Sequence, residues 1–566
     1  MNAKSKRILV VGGVAGGATC AARSRRLDES AEIVVFDRGP FVSFANCGLP
    51  YHVGDVIPKE KSLLVATPEL FRDRFRIEVR TRNEVTAIDR KAQEIEVREL
   101  TSGRVYRERY DALVLAPGAA PMKPPLPGLD LPGVFTLRTI PDSRLIRDWI
   151  SSRNARRVVV VGAGFIGLEM VENFVHRGLE VSVIELADQV LPPLDPEIAR
   201  TVADWLTTKG VSLRLGEGLA AIETDASGTL RVRTNKGTEL RADLVLLGLG
   251  VRPETKLALD AGLEIGQRGG IRVDDAMRTS DARIWAIGDA VEVRDLVTKQ
   301  WTVIPLAGPA NRQGRIAADS IAGREARFRG VQGTAVCGIL GLTAAITGAS
   351  EKSLVRAGVT TFEKVYLHPG HHAGYYPGAK PLHMKLLFST PDGRILGAQA
   401  VGEEGIDKRI DVIAMAIQKG GTVHDLEEAE LCYAPQYGSA KDPVNLLGMV
   451  AANALRGDAP LARWEDVDET EAFVLDVRQP DEFAEGHVPG ATNVPLPELR
   501  RRLDELPRDR EIWAYCRVGQ RSYYATRLLQ QKGFRVRNLT GGYQSFLARR
   551  PAGAPTTACH GGARRG

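Results

Sequence analysis

The sequence predicts a multidomain α/β protein, and three observations lead there. Two segments far apart in the chain begin alike, each with a β-branched run, a glycine-rich turn and a small-residue helix. From about residue 330 to 455 the pattern changes to longer strands and helices with no such turn. After the boundary tract Arg456–Pro460, a compact unit runs from about 462 to 550. At 566 residues the chain is too long for one hydrophobic core and divides into about three or four domains.

Taken in order, Arg7–Val11 reads as a strand, Gly12–Gly17 as a turn, Ala18–Leu27 as a helix and Glu32–Asp37 as the next strand. The second segment repeats this plan: strand Arg157–Val161, turn Gly162–Gly167, helix Leu168–His176, strand Glu180–Glu185. A linker rich in proline (Pro121, Pro124, Pro125, Pro127) separates the two βαβ units. The apolar strand Asp243–Gly248 and the segment Ile284–Asp289 come after the second. The tail from Pro551, rich in Gly, Ala, Thr and Arg, reads as disordered.

Hydrophobic content of 43% and charged content of 26% are ordinary for a globular enzyme. A net charge of +6, from 76 basic and 70 acidic residues, does not point to nucleic acid. No apolar run approaches the roughly 20 residues that span a bilayer. The Ile8–Val11 run is too short for a signal-peptide core. Six cysteines (Cys20, Cys47, Cys337, Cys432, Cys516, Cys559) are scattered without paired spacing, which argues against a disulfide scaffold or a metal site. Such usage fits a reducing cytoplasm, where a reactive cysteine is catalytic rather than structural.

Gly162-Ala163-Gly164-Phe165-Ile166-Gly167 is a complete G-x-G-x-x-G between strand and helix. Gly162 permits the tight turn, Gly164 lets a pyrophosphate approach, and Gly167 packs helix on strand. The phosphates then meet the free N–H groups and positive dipole end of a helix. Glu185 ends the following strand, where a carboxylate binds both ribose hydroxyls and repels a 2′-phosphate, favouring NADH over NADPH. The first turn keeps Gly12, Gly16 and Gly17 but has Val14 at the middle position, and Asp37 ends its next strand as an adenosine ribose ligand. The stretch Thr279–Asp289, ending Trp285-Ala286-Ile287-Gly288-Asp289, resembles the second FAD motif of the pyridine nucleotide-disulfide oxidoreductases. Leu115-Ala116-Pro117-Gly118 and Leu247-Gly248-Leu249-Gly250 resemble that family's domain-crossing turns. The resemblance implies bound FAD, with Asp289 on the flavin ribitol.

Ser43-Phe44-Ala45-Asn46-Cys47-Gly48-Leu49-Pro50-Tyr51 lies where this superfamily keeps its redox cysteine. Glutathione reductase-like members carry two cysteines there. Here Gly48 to His52 contain none, so Cys47 works alone or with a sulfur brought by substrate. Over roughly residues 6–455 the chain is similar to coenzyme A-disulfide reductases. The likeness implies CoA as substrate or bound cofactor, with Ser43 and Asn46 at its sulfur end. Arg23 and Arg26 share a helix face at i, i+3. The resemblance puts CoA phosphates on that face; the alternative is a solvated face. Tyr375 and Tyr433 resemble two tyrosines that these homodimeric enzymes contribute from the partner subunit, where a phenol can donate to a leaving thiolate. Gln436 stands where the family often has a second proline. NADH oxidases and peroxidases also use one cysteine, but place a histidine inside the first glycine turn, where this chain has Ala15. Cys20, Cys337 and Cys432 read as small buried hydrophobes.

In the last unit, Val474–Arg478 is a strand ending in an aspartate and an arginine able to pair, followed by Glu485–Ala491, a strand Ile512–Tyr515 and the loop Cys516-Arg517-Val518-Gly519-Gln520-Arg521. This set resembles a single rhodanese domain over about 90 residues. Backbone N–H groups with Arg517 and Arg521 would form an anion cradle, lowering the thiol pKa of Cys516 so that it accepts sulfane sulfur.

The reading is therefore two Rossmann-like nucleotide-binding domains, an α+β dimerisation domain and a C-terminal α/β rhodanese domain. Expected boundaries are 1–120 with 250–330 for FAD, 121–249 for NADH, 331–455 for dimerisation and 462–550 for the rhodanese domain, leaving the tail 551–566. The expected activity is NADH-dependent reduction of persulfide, polysulfide, CoA persulfide and CoA disulfide through FAD and Cys47, with Cys516 carrying sulfur. The alternatives are a plain CoA-disulfide reductase or NADH oxidase with an accessory rhodanese domain, or a redox-sensing flavoprotein. The expected partners are small thiol, persulfide or CoA substrates and a second copy of the chain, with no nucleic acid, membrane or metal.

Overall fold

The computed structural model describes residues 5–226 and 228–550. The chain divides into two compact units. One takes the chain up to Leu191 with Leu206–Gly333; the other takes Pro192–Trp205 with the chain from Thr334.

The first unit is built on two five-stranded parallel sheets. Arg7–Val11 lies between Glu32–Asp37 and Ala112–Leu115, with Glu78–Thr81 and Ile284–Ala286 at the edges. Arg157–Val161 lies between Glu180–Glu185 and Leu244–Leu247, with Ser212–Leu215 and Val134–Phe135 outside them. The central strands are unbroken apolar runs, Ile8-Leu9-Val10 and Val158–Val161, buried along their length. Runs without polar alternation suit parallel sheets covered on both faces. Among the described residues, two antiparallel three-stranded sheets, a mixed three-stranded sheet (Ile271–Arg272, Val291–Arg294, Trp301–Thr302) and an antiparallel pair (Ala119–Pro121 with Val251–Pro253) complete the unit.

Both nucleotide-type helices begin earlier than the sequence suggests. Ala15–Leu27 replaces the expected Ala18–Leu27, and Phe165–His176 replaces Leu168–His176. The last glycines of each turn already lie in the first helical turn, whose N–H groups are free to face the crevice. The strand expected over Asp243–Gly248 is Leu244–Leu247, because Asp243 serves as an end clamp: its carboxylate accepts from the amides of Arg156 and Arg157 and pairs with the Arg157 guanidinium at 2.8 Å.

The second unit holds a five-stranded antiparallel sheet, in the order Ala335–Ile339, Leu342–Gly348, Ile395–Gly402, Leu382–Ser389, Phe362–Leu367. Its buried charges are grouped around Lys385, whose Nζ lies 2.8 Å from Asp195, 2.5 Å from Glu197 and 2.8 Å from Glu351. Burial would drive the Glu351 carboxyl up, but the ammonium groups of Lys385 and Lys364 outweigh it and hold it below its usual range. Buried charge is tolerated there because each carboxylate meets a cation. A second sheet, parallel throughout, follows the order Leu461–Ala462, Val536–Leu539, Ile512–Tyr515, Phe473–Asp476, Thr492–Asn493. The expected disordered tail and Cys559 lie outside the described residues. Among those described, no helix is long and apolar enough to cross a membrane.

Candidate active site

The first glycine turn is shaped by steric need. Gly12 has φ +93°, and a Cβ there would meet the Ala116 carbonyl oxygen at 2.1 Å; one on Gly17 would meet the Gly12 oxygen at 1.8 Å. Gly16 faces Ala310 and Ile287, so it serves the close approach of the Ala307–Ile321 helix. Asp37 accepts from Gly13 N (2.9 Å) and Gly39 N (2.8 Å), which places its carboxylate at the mouth of the turn. Burial raises the Asp37 carboxyl, and those two amides only partly offset it. Asp289 sits in the tight turn Gly288–Ala290. Its carboxyl is raised by burial, with Arg138 pulling the other way, and among the described residues it makes no side-chain hydrogen bond or ion pair. A half-buried acceptor without a donor fits a hydroxyl-bearing flavin side chain.

In the second turn Gly162 has φ +105°, with the Gly248 oxygen 2.4 Å from a would-be Cβ, and Gly167 abuts the Gly162 oxygen. Nothing lies within 4 Å of a Cβ on Gly164, so backbone is open there to an approaching phosphate. Glu185 accepts from Ala163 N at 2.7 Å and Ala187 N at 2.8 Å, fixing its carboxylate beside the turn.

Cys47 lies in the 3₁₀ turn Asn46–Gly48, just before the short helix Leu49–Val53, and is exposed. The turn is pinned by Ala45 N to Leu63 O (2.7 Å) and Gly48 N to Ala45 O (2.9 Å). Ser43 holds a left-handed backbone, φ +47°, while its N–H donates to Gly13 O, tying this segment to the first glycine turn. The Cys47 thiol faces Asn46 Oδ1 at 4.0 Å. Its pKa is raised first by the surrounding protein, then by the carboxylates of Glu169 and Asp289.

Glu169 escaped the sequence reading. It stands two residues past Gly167 on the Phe165–His176 helix, and that helix packs against the Leu49–Val53 helix behind Cys47. Burial, then Glu172, lifts its carboxyl to about 7. The available signal was a carboxylate in the first turns of a nucleotide-type helix, where a half-buried acid with a shifted pKa points to a nearby site.

The arginine face is less free than its spacing implies. Arg23 pairs with Asp319 at 2.8 Å, whereas Arg26 is exposed. Arg25 is buried and donates to the carbonyls of Phe75, Arg76, Asp28 and Glu29.

In the other unit, Tyr375 and Tyr433 are brought together, hydroxyl to hydroxyl at 2.5 Å. At 76% and 47% exposed they are surface residues rather than core aromatics. Cys20 and Cys337 are buried as expected, but Cys432 is exposed, because it lies in the irregular stretch beside Tyr433 and not under a sheet.

Cys516 directly follows the strand Ile512–Tyr515 and is 1% exposed beneath its loop. Gly519 N donates to its sulfur at 3.2 Å and Ser522 Oγ lies at 3.6 Å. Arg521 flanks the sulfur but is held in a two-pronged pair with Glu482 at 2.6 and 2.7 Å, so its charge is partly cancelled; Arg517 is exposed. The expected pair is present: Arg478 Nη2 lies 2.7 Å from Asp476 and also donates to Gly486 O.

Comparison with known proteins places these features. The family described as pyridine nucleotide-disulphide oxidoreductase matches residues 6–314, its dimerisation domain matches 334–442, and a rhodanese-like domain matches 462–549. Over 447 residues the chain is 35% identical to the coenzyme A disulfide reductase of Staphylococcus haemolyticus, covering 79% of this chain and 99% of that protein. Among solved structures, reduced CoADR-RHD of Bacillus anthracis is 45% identical with a TM-score of 0.94, over 97% of this chain and 99% of that one. A NAD-dependent persulfide reductase from A. fulgidus is 37% identical with a TM-score of 0.88, over 95% and 100%. The water-forming NADH oxidase of Lactobacillus brevis is 27% identical with a TM-score of 0.76, over 80% and 99%. The chain is a FAD-dependent oxidoreductase of the pyridine nucleotide-disulphide oxidoreductase family, carrying that family's dimerisation domain and a rhodanese-like domain.

Proposed function

We propose that this enzyme uses NADH to reduce sulfane sulfur in persulfides, polysulfide and CoA persulfide, and also CoA disulfide, at Cys47. The observation that carries this reading is a lone exposed cysteine, in a segment tied to the first glycine turn through Ser43, with no second cysteine within reach in sequence. Its disulfide partner must then come from the substrate. The rhodanese-like domain and the likeness to a persulfide reductase support sulfane sulfur as that partner.

Gly12, Gly16, Gly17, Asp37 and Asp289 would hold FAD, in residues 1–120 and 250–330. Gly162, Gly164, Gly167 and Glu185 would hold NADH, in residues 121–249. When bound, the flavin supplies two-electron transfer from the nicotinamide to a facing sulfur. Cys47 attacks the outer sulfur of a persulfide, forming an S–S bond as the substrate thiolate leaves. Two electrons then cleave the Cys47 persulfide, releasing hydrosulfide and restoring the Cys47 thiolate. Glu169, with a carboxyl near neutrality, can hold or give up a proton beside that sulfur. Ser43 and Asn46 orient the substrate's sulfur end, and Arg23 and Arg26 meet CoA phosphates. Tyr375 and Tyr433 act from the partner subunit of a homodimer, as phenol donors to the leaving thiolate. Cys516, with Arg521 beside it, collects sulfane sulfur in the rhodanese domain (462–550), while residues 331–455 form the dimer. The setting is the reducing cytoplasm.

A second reading, NADH oxidase, is favoured by the likeness to the Lactobacillus brevis enzyme. Ala15, where oxidases and peroxidases carry histidine, speaks against it. Comparing kcat/KM for CoA persulfide, polysulfide, CoA disulfide and oxygen decides between them. Sulfane substrates should lead, and oxygen leading would refute the proposal.

A further inference from the structure

The loop bearing Cys516 is closed from behind by a turn that two domains share. Tyr543 N donates to Cys516 O at 2.7 Å and Gln544 N to Arg517 O at 3.0 Å. The preceding Gly541 and Gly542 both have left-handed backbones, φ +70° and +62°. A Cβ on Gly542 would strike Cys516 O at 2.3 Å. One on Gly541 would strike Ser545 Oγ at 2.1 Å and Tyr366 Cβ at 2.5 Å, and would crowd His368 Nε2 at 3.2 Å. One glycine therefore touches the sulfur-bearing loop, and its neighbour touches the segment Tyr366–His368 of the dimerisation domain.

That seam is bonded as well as packed. Tyr366 N donates to Thr540 Oγ1 at 3.0 Å, and Trp464 Nε1 donates to Thr540 O at 2.8 Å. His368 Nε2 lies 2.9 Å from Ser545 Oγ, and its Nδ1 lies 2.8 Å from His383 Nδ1. Two Nδ1 atoms at that distance are one donor and one acceptor, so the two rings hold opposite tautomers and the sense of the Ser545 bond follows from which ring donates. Burial, then His383, drives the His368 pKa down to about 3, so the imidazole is a neutral, permanent link at working pH.

We propose that His368, from outside the rhodanese-like domain, is a positioning residue for sulfur transfer at Cys516, acting through Ser545 and the Gly541–Gly542 turn. The inference rests on Cys516 being the sulfur acceptor. In that step the Cys516 thiolate forms an S–S bond to the outer sulfur of thiosulfate, and sulfite leaves with the electron pair of the broken bond. Cyanide then takes the sulfur as thiocyanate and the thiolate returns. A loop held to a fraction of an ångström favours this transfer, whereas a slackened one lowers turnover more than binding.

The test uses the full-length enzyme with thiosulfate and cyanide in one assay and NADH with CoA disulfide in the other. His368→Ala and Ser545→Ala should each lower kcat for sulfur transfer about tenfold. KM for thiosulfate and the CoA disulfide rate should stay near wild type. The double variant should be no worse than either single one, because both remove the same bond. His368→Gln, whose amide can reach the serine hydroxyl, should restore part of the rate. An unchanged kcat in both single variants, additive losses, or equal losses in the two assays would each overturn the proposal. Should His368→Ala fail to fold, Ser545→Ala, which removes one hydroxyl, decides alone. Cys516→Ser is the separate control: sulfur transfer surviving in it would sink the acceptor reading itself, whatever His368 does.

Discussion

Replacing Glu185 by alanine should erode the enzyme's choice of NADH over NADPH from two directions. The carboxylate is held by the amides of Ala163 at 2.7 Å and Ala187 at 2.8 Å. A 2′-phosphate bound on this strand end would face it with a like charge. At about 5 Å and an effective dielectric of about 20, each pair of unit charges costs ~3 kcal/mol, which salt and exposure cut to roughly 1–2 kcal/mol. NADH should therefore lead NADPH in kcat/KM by roughly five- to thirtyfold. Glu185→Ala removes the repulsion and frees two N–H donors for phosphate, so the ratio should fall about tenfold or more. Glu185→Gln should fall between, since it loses the charge but keeps an acceptor. Steady-state kinetics with both nucleotides give the ratio directly. A wild-type enzyme that uses NADPH as well as NADH would refute the placement of Glu185.

Cys47→Ser should abolish reduction of every sulfur acceptor while FAD stays bound and reducible by NADH, and Cys516→Ser should abolish transfer from thiosulfate-type donors yet spare small CoA substrates; NADH consumption and flavin content check both. Glu169→Gln should make Cys47 alkylate faster at pH 8, because the charge that raises its thiol is gone, and should erase an inflection near pH 7 in the alkylation rate. Since the folded carboxyl titrates near 7, above its ordinary 4.5, the wild type loses stability as pH climbs from 4.5 to 7. The glutamine variant should thus gain relative stability above pH 7 and none below 4.5, as read by thermal unfolding. Arg23→Ala with Arg26→Ala should raise KM for CoA substrates far more than for inorganic polysulfide, and equal losses would remove these residues from the CoA site.

The strands were legible because their signal is local. Ile8–Val10 and Val158–Val161 are uninterrupted apolar runs, and such runs read as buried parallel strands wherever they stand. The helix starts were misplaced because neither nucleotide-type helix has a side-chain cap: Val14 and Gly164 occupy those positions without a capping hydrogen bond. With no Ser, Thr, Asp or Asn to mark the boundary, the glycines looked like turn when they were already helix. Cys47 and Cys516 stood out through short motifs. Glu169 did not, since its relation to Cys47 depends on how one helix packs against another. Cys432 was misread for a related reason: composition makes cysteine a buried residue on average, and only the path of the chain puts this one at the surface.

Charge partners far apart in the chain were the least legible feature, and they change what the arginine prediction means. Spacing put Arg23 and Arg26 on one face, but Asp319, 296 residues away from Arg23, pairs with it at 2.8 Å. Likewise Glu482, 39 residues from Arg521, offsets part of the positive charge beside Cys516. The two CoA-face substitutions should consequently differ. Arg26→Ala removes an exposed cation and weakens phosphate binding by one charge. Arg23→Ala also exposes the unpaired Asp319 carboxylate to the same phosphates, so attraction is replaced by repulsion. Arg23→Ala should therefore raise KM for CoA disulfide more than Arg26→Ala. The further change Asp319→Asn in the Arg23→Ala background should recover most of the excess, because it removes the uncovered charge. A KM unaffected by that rescue would mean that Arg23 braces the Ala15–Leu27 and Ala307–Ile321 helices and does not meet the substrate.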